Sequence, residues 1–154
     1  MRARMIAVAV VLCLAGAAVC LADDAQMGTW KLNEAKSKFS PGAMKNTMVV
    51  YEAAGDSVKV TVDGVDGDGK PAHNEWTGKF DGKDYSVTGD PNADMRSYKK
   101  VNDHTLTVTN KKDSKVTMSA RVVVSADGKT RTTTASGKDA KGQKVSSTAV
   151  YDKQ

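Results

Sequence analysis

Valine and threonine alternate with polar residues along short runs, and this period of two constrains the chain more than any other feature. Val58, Val60 and Val62 fall on one side of an extended segment, with Lys59, Thr61 and Asp63 on the other. Leu106 and Val108 against Thr105, Thr107 and Thr109 repeat the arrangement, and Val116, Met118, Ala120, Val122 and Val124 extend it. The runs are cut by turn formers at Gly55-Asp56, Asp66-Gly67-Asp68-Gly69, Asp81-Gly82, Asn102-Asp103, Lys112-Asp113, Asp127-Gly128 and Lys141-Gly142. The pattern predicts strands at 28–33, 46–53, 57–65, 71–80, 83–88, 95–101, 104–110, 114–125, 129–137 and 143–151. No segment after residue 22 carries a sustained helical stripe, and residues 33–39 have room for at most about two turns before Pro41 interferes.

Short hairpin connections favour a meander, so the expected fold is all-β, an antiparallel up-and-down β-barrel of 8–10 strands. A two-sheet β-sandwich is the alternative. Closure leaves no exposed strand edge, which favours the barrel.

The first 22 of the 154 residues have a different character. Arg2 and Arg4 precede an apolar run from Met5 to Leu14, and small residues lead to Ala22 before Asp23-Asp24, as in a secretory signal peptide. The expected organisation is a leader over 1–22 and a single β-barrel domain over 23–154. The implied location is periplasmic or extracellular, with no stable membrane insertion after cleavage. A lipid anchor on Cys20 is the weaker alternative, because Ala17 stands where such sites usually carry leucine.

Both cysteines, Cys13 and Cys20, lie in the leader, so the domain is expected to fold without disulfides. Removing the leader lowers the net charge from +5 to +3, too little to argue for a nucleic-acid partner. The core is thin: after residue 22 there are 15 valines and 14 threonines but two leucines and no isoleucine. Sheet must therefore be built from β-branched residues, with a few aromatics closing the ends.

Three arginines stand among many lysines on predicted strands: Arg96, Arg121 and Arg131. A guanidinium fork suits a ligand carboxylate inside a cavity, so all three are candidate ligand-binding residues. Trp76, Tyr98 and Tyr151 are candidate lining residues, with Phe80, Tyr85, Met48, Met95 and Met118 available either to line a cavity or to fill a core. His73 and His104 are far apart and have no cysteine or paired-histidine context, so no metal site is expected. Asp63, Asp66 and Asp68 read as a polar turn rather than a calcium loop, lacking the twelve-residue spacing and its terminal glutamate. No serine has a nucleophile-elbow context, and no catalytic residue or cofactor is assigned.

Gly28-Thr29-Trp30-Lys31-Leu32 resembles the N-terminal glycine-x-tryptophan motif of the lipocalin and fatty-acid-binding-protein superfamily. Ala149-Val150-Tyr151-Asp152-Lys153 resembles the final strand of its fatty-acid-binding branch, and the segment after the leader is similar as a whole to lipocalin-like bacterial exported proteins. The resemblance implies that Gly28 and Trp30 close one barrel end, with Arg131 or Arg121 covering the tryptophan ring. The fatty-acid-binding branch places an arginine two residues before the last tyrosine; here that position is Ala149, leaving Tyr151 alone of the pair.

The expected function is non-catalytic binding of a small hydrophobic or amphipathic molecule. A structural or interaction domain with a filled core is the alternative, and an enzyme ranks third.

Overall fold

The computed structural model describes residues 24–154. The expected leader, with Cys13 and Cys20, lies outside the described residues.

Eleven strands follow one another: β1 (Gly28–Leu32), β2 (Lys38–Phe39), β3 (Lys45–Ala54), β4 (Ser57–Val65), β5 (Pro71–Gly78), β6 (Tyr85–Thr88), β7 (Met95–Asn102), β8 (Thr105–Lys112), β9 (Lys115–Val124), β10 (Thr130–Lys138) and β11 (Lys144–Lys153). From β3 to β11 every strand pairs antiparallel with its sequence neighbour, as the turn chemistry predicts. β1 pairs with β3 on one side, through Trp30 and Val49, and with β11 on the other, through Trp30 and Lys153. The sheet therefore closes on itself. β2 lies further along β11, opposite Ser147 and Thr148, so β1 and β2 share one position and the barrel has ten.

The break between β1 and β2 has a local cause. Asn33 caps a single 3-10 turn over Glu34–Lys36, its side chain accepting from the Lys36 amide. Ser37 then ties the turn to β11: its hydroxyl accepts from the Val150 amide at 2.9 Å and donates to the Asn33 carbonyl at 2.7 Å. The expected room for helix thus shrinks to one turn, and the strand resumes beyond it. The wall is thinnest at β6, which pairs through only two residue pairs with β5 and two with β7.

The inward set follows the predicted alternation except at Val116, which lies beyond a register shift between β8 and β9 and is exposed. Val58, Val60 and Val62 of β4 are buried, as are Leu106 and Val108 of β8 and Val122 and Val124 of β9. At the end holding the 55–56, 79–84, 103–104 and 125–129 turns, these valines meet Trp30, Trp76 and Tyr98 in one apolar cluster. The segment before β1 seals this end. Trp30 Nε1 donates to the Gln26 carbonyl at 2.9 Å, and Gln26 Nε2 donates to the His104 carbonyl at 3.2 Å. Asp24 pairs with Lys100 across the rim at 2.9 Å. Gly28 sits at φ +104°, a conformation that strongly favours glycine, and turns the chain from this cap into β1.

Candidate functional site

The other end of the barrel is open because one wall carries small side chains. Inward positions of β9, β10 and β11 hold Ala120, Thr133, Ala135, Gly137, Ser147 and Ala149. The facing wall holds Val49, Tyr51, Val62, Tyr98 and Val108. Between them lies a cavity of about 510 Å³, its mouth formed by residues 41–44, 66–68, 90–92 and 138–143. Pockets of roughly 300–1,000 Å³ suit small molecules.

Two arginines reach this cavity from the inward faces of their strands. Arg96 on β7 is fully engaged. Its Nε donates to Asn110 Oδ1 at 2.7 Å, Nη1 to Asn74 Oδ1 at 2.9 Å and Nη2 to Asp90 Oδ2 at 3.1 Å. Asn110 Nδ2 also donates to Asp90 Oδ2, at 3.4 Å. Asp90 belongs to the β6–β7 loop, so this buried ion pair fixes that loop on the mouth. A further tie is Thr117 Oγ1 donating to the Asn92 carbonyl at 2.8 Å.

Arg131 on β10 stands at the cavity floor and is differently placed. Its Cζ lies 4.7 Å from the Tyr151 ring centre, 5.2 Å from that of Tyr51 and 5.5 Å from that of Trp30. Nε and Nη1 are buried with no hydrogen-bond partner among the described residues, and no carboxylate among them forms an ion pair with this guanidinium. Burial pushes the Tyr98 phenol well above its ordinary value, with the neighbouring Tyr51 adding to the shift. Burial also raises Tyr151, against the opposing influence of Arg131 beside it. These hydroxyls therefore stay neutral at ordinary pH.

Of the sequence-predicted residues, Arg96, Arg131, Tyr98 and Tyr151 line the cavity together. Arg121 does not: it is exposed on the outer face of β9, because Ala120 and Val122 take the inward positions. Trp76 is also misplaced as a lining residue. It is buried in the filled half, 4.5 Å from Tyr98 and 5.7 Å from Tyr85 between ring centres, and its indole donates to the Arg96 carbonyl at 2.9 Å. Trp30 is buried at the closed end, with Arg131 and Lys153 both over its ring. Met118 lines the cavity and Met48 is exposed.

Tyr51, Asn74, Asp90 and Asn110 escaped the sequence reading. Tyr51, Asn74 and Asn110 share parity with buried Val49, Trp76 and Val108 respectively, and that alternation was the available signal. Asp90, on a loop, offered none.

His73 is exposed and hydrogen-bonded to Asp63 at 2.6 Å. His104 is half-buried at the closed end, where its carbonyl carries the Gln26 contact. Asp66 Oδ1 accepts from the Asp68 and Lys70 amides, each at 2.9 Å, so this carboxylate closes its own turn. Among the described residues, no three His, Cys, Asp or Glu side chains are grouped to hold a metal ion.

Fold and site together define an antiparallel ten-strand β-barrel, closed at one end and hollow at the other. No protein-family model matches the chain, and no curated protein does. Among solved structures, the chain is similar to EF1p2_mFAP2b bound to DFHBI, with 12% identity and a TM-score of 0.47 over 84% of this chain and 94% of that one. It is also similar to a redesigned beta barrel, mFAP1, bound to DFHBI, with 14% identity and a TM-score of 0.44 over 84% of this chain and 98% of that one.

Proposed function

We propose that this protein is a non-catalytic binding protein of lipocalin-like type, exported through its 1–22 leader, that reversibly holds a small hydrophobic or amphipathic molecule. The observation that carries the reading is the cavity of about 510 Å³, open at one end and ending on Arg131, Tyr51 and Tyr151. A filled barrel would bring large side chains together along its whole length. Here they meet in one half, while alanines, a glycine and small hydroxyl residues leave the other half hollow.

Binding would follow from shape and desolvation. Valine and tyrosine faces take an apolar body, and the polar groups at the floor orient one end of it. On this reading the cavity's role is sequestration and release.

Native mass spectrometry of the protein purified from its own export compartment tests this directly. The expected result is a retained mass of a few hundred daltons that organic extraction releases for identification. A protein that emerges empty, and that binds no member of a broad lipid and metabolite panel, overturns the reading.

A further inference from the structure

Resting on the binding reading above, we infer that the ligand is an uncharged molecule carrying a carbonyl, and that the side-chain amide of Asn74 donates a hydrogen bond to that oxygen midway up the cavity wall. Asn74 lies on the inward face of β5, opposite Val62 of β4 and one inward step from Trp76 toward the mouth. It is 3% exposed and lines the cavity. Its two polar atoms are in different situations. Oδ1 accepts from Arg96 Nη1 at 2.9 Å, whereas Nδ2 makes no hydrogen bond among the described residues. Nor is Nδ2 sealed inside the protein as the unpartnered nitrogens of Arg131 are, so on a residue this buried it opens onto the cavity.

The network around Arg96 fixes which way this amide faces. A guanidinium has no acceptor, so the Asn74 oxygen must turn to Arg96 and the NH2 group must turn away from it. Asn110 is held in the same way, with Oδ1 on Arg96 Nε at 2.7 Å and Nδ2 toward Asp90 at 3.4 Å. Asp90 Oδ2 accepts from Arg96 Nη2 and Asn110, and its Oδ1 accepts from the Asn92 amide at 2.9 Å. Every acceptor atom of Asn74, Asn110 and Asp90 therefore has a partner, and what the network presents to the cavity is a donor. The charges of Arg96 and Asp90 offset each other within it, so a ligand at this point needs no charge of its own. A ketone, ester or amide oxygen supplies the missing acceptor, whereas a group that only donates leaves two donors face to face. An apolar group leaves the buried donor unmade, and that penalty gives the contact its selectivity. The apolar remainder of the ligand lies against Val49, Val62 and Val108, with Ala120, Ala135 and Ala149 across the cavity.

Infrared spectroscopy of 2-nonanone, isotope-labelled at its carbonyl carbon and bound to the unaltered protein, reads this contact directly. The expected C=O band lies at lower wavenumber than that of the ketone in hexane. A band at the hexane position overturns the inference and leaves the binding reading standing. In calorimetric titration, 2-nonanone is expected to bind at least about fivefold more tightly than nonanoate or nonylammonium, a difference of about 1 kcal/mol; tighter binding of either ion overturns the inference alone. Asn74→Asp keeps the oxygen that Arg96 requires and exchanges the donor for a second acceptor. It is expected to weaken 2-nonanone at least about fivefold and to return the band to its hexane position, and an unchanged band in this variant overturns the assignment to Asn74. Failure of all three ligands to bind overturns the binding reading as well. The band and the ligand ranking are read on the unaltered protein, so a folding defect in Asn74→Asp cannot obscure them.

Discussion

Arg96 and Arg131 are the same residue type on inward faces of neighbouring regions of one barrel, yet their surroundings are opposite. Arg96 is held by two asparagines and an aspartate, and Arg131 by three ring faces. The first arrangement is complete in itself and works as a brace between wall and mouth loop. The second is incomplete, with two guanidinium nitrogens buried and without a hydrogen-bond partner among the described residues. Inward placement of a cation is therefore not by itself a binding signal; what distinguishes the two is whether the protein supplies the counter-charge.

The contrast can be broken most forcefully at the brace. Asp90→Ala leaves Arg96 buried and unpaired, and is expected to cost about 3–5 kcal/mol in urea unfolding. Adding Arg96→Met to that variant removes the orphaned charge and should recover a large part of the loss. At the floor, Arg131→Met exchanges cation–π contacts for an apolar side chain while removing an unpaired charge. The two effects oppose each other, and unfolding should shift by about 1 kcal/mol, well short of the Asp90 variant.

Smaller still is Arg121→Ala. This exposed side chain is expected to change stability by no more than about 0.5 kcal/mol, and the retained ligand seen by native mass spectrometry not at all; a clear loss of binding would return Arg121 to the site. Last comes His73, whose pKa is raised above its ordinary 6.5 by the hydrogen bond its ring donates to the Asp63 carboxylate. Its contribution to stability is fully present below 6.5 and is lost as pH rises through the raised folded value. NMR titration should find its midpoint above 6.5, and Asp63→Asn should lower it.

Much of the barrel was legible because the local signals agreed. Val58-Val60-Val62 and the Asp-Gly turns give alternation and hairpins together, and β4 forms where both point. The short β2 was hidden because its pairing depends on Ser37 reaching Val150, a contact 113 positions away in sequence. Which face is inward was harder to read where valine serves both sides. Val101, Val116 and Val123 are 49%, 58% and 40% exposed, so hydrophobicity around Arg121 did not single out one parity. Arg96 and Arg131 were identifiable as candidates by type and spacing. Their opposite roles were not, because Asp90 reaches Arg96 from a loop whose path no periodicity encodes.

The pairing of β1 with β11 gives the molecule a particular timetable. Its first described strand cannot find its second neighbour until the last strand has been synthesised, and Arg131 acquires the Tyr151 ring only at that same moment. Long-range β closures of this kind place a protein among the slow two-state folders, with characteristic times of about milliseconds to seconds. The eight hairpins from β3 to β11 can form as each strand emerges, whereas closing the cylinder and completing its floor both wait for β11.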